Sequence, residues 1–152
     1  MLNMIFSVLM LLQSPVDIFK KDMAPLQAAV DSVVTPIVGR VWQPAKATYL
    51  DGYGIVVTLE VQFEAQRTPF STPASPAELR TIIAARRKDL SEKMTALVKQ
   101  RVATTNAIAA NESLAVVVHI VNFNPADLPN LPKQLVFSVR KDSPDPVVMR
   151  EF

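Results

Sequence analysis

Three side chains in this sequence have types that could do chemistry together: Glu60, His119 and Arg140. A carboxylate, an imidazole and a guanidinium on one sheet face could bind an anion or move a proton. Thr58 and Ser138 fall at the same parity in their segments. The plainer reading is that Glu60 and Arg140 are solvated strand residues and that His119 is a neutral imidazole packed among valines. Other catalytic frameworks are excluded by composition. The chain has no cysteine, one histidine and three glycines. That removes disulfides, thiol catalysis, a phosphate loop and any His/His metal pair. No G-x-S-x-G elbow accompanies His119. The sequence therefore points to no catalytic residue, no metal and no cofactor, and it leans away from an enzyme.

The stretch that must position these residues is Ala47 to Glu64. Ile55, Val57, Leu59, Val61 and Phe63, with Tyr53 before them, alternate with Gly54, Val56, Thr58, Glu60, Gln62 and Glu64. A period of two places the first set on a buried face and the second on a mostly polar one. Asp51-Gly52 marks a hairpin turn. A two-residue loop would pair Lys46 with Val57 on the buried side. A longer loop from Leu50 to Gly54 pairs Tyr49 with Ile55 and Ala47 with Val57, which buries better, and a one-residue slip would invert every side chain. The longer loop is the expected one. Val41 to Leu50 reads as an edge strand because it contains Pro44.

Leu114 to Phe123 is apolar on both faces, as in a strand buried on two sides. Gln134 to Lys141 alternates inward Leu135, Phe137 and Val139 with outward Ser138 and Arg140. Val147 to Phe152 is a short edge strand or a tail. Ser75-Pro76-Ala77-Glu78 is a capping box with Pro at the first helical position. It opens a helix to about Ala103 with Leu79, Ile82, Ile83, Leu90, Met94, Leu97, Val98 and Val102 on one face. Earlier, Ser14-Pro15-Val16-Asp17 starts a helix carrying Val16, Ile18 and Phe19. Pro25 marks a second start or a kink, and Leu26, Ala29, Val30, Val33 and Val34 continue at helical spacing.

With 152 residues the chain fits one domain with a real core. The expected organisation is an apolar segment at residues 1–13 followed by a single α+β domain at residues 14–152. The sheet is expected to be largely antiparallel, of about four strands, covered on one face by the long helix. Met1 to Leu12 is shorter than the ~20 residues of a membrane-spanning helix. It is consistent with a signal-peptide core, an interfacial or partner-docking helix, or a core helix, and it offers a route to membrane contact. A net charge of +2 is too small to argue for nucleic acid. The basic residues of the long helix scatter around its polar side without aromatic platforms between them.

One further pattern bears on function. Val56, Val117, Val121 and Phe123 are apolar yet point away from the long helix, and an exposed patch of this kind marks an interface. Either the N-terminal helix or another chain would cover it. The expectation is thus a structural or interaction module, working as a homo-oligomer or as a subunit of a larger assembly. The alternative is a small-ligand binding protein or hydrolase using Glu60, His119 and Arg140.

The run Tyr49-Leu50-Asp51-Gly52-Tyr53-Gly54-Ile55-Val56-Val57, followed by Leu59-Glu60-Val61, resembles a motif of uncharacterised bacterial proteins, many of exported type. Their pattern is Tyr-hydrophobic-x-Gly-x-Gly-hydrophobic-hydrophobic-Phe and then a Glu-Val pair. Leu114 to His119, and Leu131-Pro132 through Leu135 to Arg140, are similar as well. The likeness spans Ala47 to Asp142 and departs at Val57, where the pattern has an aromatic. The resemblance implies a bacterial envelope protein, periplasmic or membrane-associated; it brings no activity and no site residues.

Overall fold

The computed structural model describes residues 15–65, 69–143 and 145–152. The Met1 to Leu12 stretch, the Ser14 cap and the side chains of Val16 and Ile18 lie outside what it describes. The chain is α+β, with elements α1 (Pro15–Val34), β1 (Arg40–Leu50), β2 (Gly54–Gln62), α2 (Pro76–Thr104), β3 (Ser113–Ile120), β4 (Gln134–Arg140) and β5 (Val148–Glu151). The five strands form one sheet in the order β1-β2-β3-β4-β5. Three pairings are antiparallel, but β2 and β3 run parallel. The sheet is therefore mixed and has five strands where about four were expected. The parallel pair follows from α2, since only a long crossover can return the chain to the same starting edge.

The hairpin adopts the longer loop. Ala47 pairs with Val57, Tyr49 with Ile55 and Leu50 with Gly54, and the Tyr53 amide donates to the Leu50 carbonyl at 3.0 Å. Ile55, Val57, Leu59, Val61 and Phe63 are buried as the alternation requires, whereas Tyr53 belongs to the turn and is exposed. Gly54 has φ +119°, and a Cβ there would sit 2.1 Å from the Ser113 carbonyl oxygen. This position fixes the start of both β2 and β3.

Helix α2 begins at the expected box: Glu78 N–H donates to Ser75 Oγ at 3.3 Å and Ser75 N–H donates to Glu78 Oε2 at 2.8 Å. The Ser75 N–H and the Ser75 hydroxyl, both donating to Glu78 Oε2 at 2.8 Å, hold the Glu78 carboxyl below its ordinary range. At 1.5 Å per residue its 29 residues span about 43 Å. It buries Leu79, Ile83, Leu90, Met94, Val98 and Val102, while Ile82, expected on this face, is exposed.

Helix α1 runs unbroken through Pro25. Pro25 is exposed, on the side where a carbonyl that loses its partner can be hydrated. Leu26, Val30 and Val34 enter the same core as α2, so both helices cover one side of the sheet. Two α1 side chains also close the β1 edge: Ala45 N–H donates to Asp31 Oδ1 and Ala47 N–H to Gln27 Oε1, each at 2.8 Å. With Pro44 and two register shifts nearby, these bonds leave β1 a poor template for strand addition.

Tyr49 and Glu112 join β1 to the α2–β3 connection. The Tyr49 hydroxyl donates to Glu112 Oε1 at 2.5 Å, and Ala109 N–H donates to Glu112 Oε2 at 2.9 Å. The bond to Glu112 and burial push the Tyr49 phenol up to about 12. The Tyr49 and Ala109 bonds hold the Glu112 carboxyl down.

Three outcomes are expected. Because the folded phenol holds its proton more tightly, Tyr49 contributes stability that is complete below its ordinary pKa of 10.0 and is lost as pH rises through about 12. Urea denaturation across that window should show an alkaline fall in stability that Tyr49→Phe flattens. In the same assay, Gly54→Ala should cost roughly 2 kcal/mol or more through strain and collision. Gly52→Ala, at φ +74° in open space, should cost about 1 kcal/mol from backbone strain alone.

Candidate binding face

The side of the sheet opposite the helices carries the alternate residues. Register places them in rows across the strands. Thr48, Val56, Ala115, Ser138 and Val148 form one row; Lys46, Thr58, Val117, Val136 and Arg150 the next; Gln43, Glu60, His119 and Gln134 the third. Beyond the third row Val121 extends β3, its amide donating to the Val61 carbonyl at 2.8 Å. Val56, Val117 and Val121 are half-buried and Phe123 is 57% exposed. All four residues expected at an interface therefore lie on this side. The helix α1 does not lie on it.

Glu60 and His119 are direct neighbours in register. Gln134 Nε2 lies 3.0 Å from His119 Nδ1. Glu60 and His119 line a cleft of about 670 Å³ together with residues of the loop at 121–133. Arg140 is elsewhere. It pairs with Ser113, six residues along β4 from Gln134, or roughly 20 Å at 3.3 Å per residue. Its Nε and Nη2 donate to Asp142 at 2.6 and 2.8 Å. These bonds push the Arg140 guanidinium up and hold the Asp142 carboxyl down. Arg140 and Asp142 line a separate cleft of about 520 Å³ with Tyr53, Ser113 and Ser138. Parity put the three candidate residues on one face, but register divides them between its two ends. They form no common site.

Sequence reasoning missed an aromatic corner. The rings of Trp42 and Phe123 lie 5.6 Å apart, tilted by 48°. The Arg40 guanidinium stands 3.9 Å over the Trp42 ring, and Trp42 Nε1 donates to Gln62 Oε1 at 3.3 Å. Trp42 is 39% exposed. Its outward aim depends on the register shifts of β1 on either side of Gln43, which simple alternation does not reveal. The available signal was the chain's single tryptophan beside a proline in an edge strand.

Among the described residues no group of three or more His, Cys, Asp or Glu side chains could hold a metal. No described helix is long and apolar enough to cross a membrane. Compared with protein-family models, curated proteins and solved structures, the chain matches none.

The two sides of β3 should respond oppositely to charge. Val117→Lys, on the open side, should change stability by about 1 kcal/mol or less. Val118→Lys, in the helix-covered core, should cost more than about 4 kcal/mol and leave little folded protein. Thermal unfolding of the two variants checks the assignment.

Proposed function

We propose that this chain is a non-catalytic module that works by association, as a homo-oligomer or as a subunit of a larger assembly at the cell envelope. One observation carries the reading: both helices pack on the same side of the sheet, so among the described residues no helix lies over the valines of the other side or the Trp42–Phe123 corner. Isolated apolar residues on a surface are ordinary, but a set along the central strand, broken only by His119 and ending at two exposed aromatics, is the composition of an interface core. The envelope setting draws on the apolar Met1 to Leu12 stretch and on the resemblance of the Tyr49 to Val61 run. The separation of Arg140 from His119 supports this reading over a ligand site built on all three polar residues.

Site-specific photocrosslinking tests this in cells producing the full chain. A photoreactive residue at Thr58, in the middle of the open face, should give one discrete adduct, of twice the chain mass or larger. Val117→Lys should abolish it. The same probe at Lys99 on α2 should give none. No adduct from Thr58, or equal adducts from both positions, overturns the reading.

A further inference from the structure

We infer that the open face takes an amphipathic helix of a partner protein, with an apolar stripe flanked on both sides by carboxylates. This rests on the association reading and names the chemistry of the partner. Strand β3 is the central strand of the sheet. Half-buried Val117 and Val121 run along it toward Phe123, interrupted by His119, with the buried Ala115 at the head of the column. From Ala115 to Phe123, three residues beyond the end of β3, is eight residue steps, at most about 26 Å at 3.3 Å each, which a helix of about 18 residues would span. Cations border it on both sides: Arg40 and Lys46 from β1, Arg150 from β5 and Arg140 from β4. Only Arg140 is neutralised, by Asp142. Arg40, Lys46 and Arg150 enter no ion pair among the described residues. Glu60 is the one carboxylate among the described strand residues of this side.

The charge pattern separates the possible occupants. A two-fold axis passing through Val117 would set Lys46 of one copy against Arg150 or Lys46 of the other, and like charges facing across an interface are costly. Met1 to Leu12 contains no acidic residue and cannot answer the cations. A single-stranded nucleic acid would need ring faces to stack on. Here the centre of the face is valine, and Trp42 is already covered by Arg40 and leans on Phe123. Strand addition at β1 is blocked by Asp31 and Gln27. A partner must therefore approach with side chains rather than backbone, and a helix presents one apolar stripe with charges along its borders.

The test titrates the full chain with three probes, followed by emission of the single tryptophan, Trp42, and by calorimetry. The probes are an 18-residue peptide with leucines at helical spacing and glutamates on both flanks, the same peptide with lysines in place of the glutamates, and an 18-nucleotide oligothymidylate. The Glu-flanked peptide should bind, shift Trp42 emission to the blue and gain helicity. Its affinity should fall with added salt, and by at least about tenfold when Lys46→Glu and Arg150→Glu are combined. Equal or tighter binding of the Lys-flanked peptide, tighter binding of the oligothymidylate, or no binding of the Glu-flanked peptide overturns the inference. A Thr58 crosslink obtained alongside any of those results keeps the association reading and removes only the acidic helix.

Discussion

The parallel pairing of β2 with β3 is the constraint on which the rest of the fold depends. Two parallel neighbours cannot be joined by a turn, so the connection must travel the length of the sheet and back. Here α2 makes that journey, and its six buried side chains make the layer that seals one side of the sheet. In-register pairing then carries the buried parity of β2 into β3 and β4, so that Val57, Val116 and Phe137 stand in one row beneath the helices. The open side follows as the complement of that row. Its character was decided wherever an outward position was given valine instead of threonine or glutamate. Gly54 serves the same constraint locally, because the close approach of the Ser113 backbone at the head of the parallel pair leaves no room for a Cβ.

The elements legible in the sequence were those specified by short-range rules. The alternation from Ile55 to Phe63, the Ser75–Glu78 box and the edge position of the Pro44 strand each follow from a few neighbouring residues. The hairpin register was legible too, because only one loop length buries Ala47 opposite Val57 and keeps Lys46 out. Parity is a local property, and it correctly assigned Glu60, His119 and Arg140 to one face. Distance along that face is a long-range property. It depends on which residue of β4 meets which residue of β3, and the pairing of Ser113 with Arg140 is written in no local pattern. The polar trio failed on that difference. Tyr53 shows the opposite error, a period carried one residue beyond the start of its strand. The direction of β3 was equally hidden, since a strand that is apolar on both faces fits a parallel or an antiparallel neighbour.

Polar groups of the structure have been used mainly to fasten elements together. Asp22 accepts from Ala107 N–H at 2.8 Å, and Lys141 Nζ donates to the Thr105 and Ile108 carbonyls at 2.9 and 2.8 Å. Arg87 reaches Glu151 at 2.7 Å across α2 and β5. Such bonds to backbone groups at element ends satisfy donors and acceptors that helix and sheet leave free. They consume much of the titratable chemistry on the helix side. Arg40, Lys46 and Arg150, which enter no ion pair among the described residues, lie on the open side.

That distribution bears on why a face, and not an edge, is left available. A five-stranded open sheet has two edges, and each is a hazard because unpaired backbone groups accept almost any strand. At β1 the hazard is removed by Asp31, Gln27 and Pro44. At β5 the strand has four residues, too few to build a long ladder. Association through backbone pairing is thus suppressed at both ends of the sheet, while a side-chain surface with its own pattern of valines and cations is kept open. A surface of side chains can discriminate between partners by shape and charge, which an edge of peptide groups cannot. If association is the role of this chain, closing its edges gives that discrimination control over what binds.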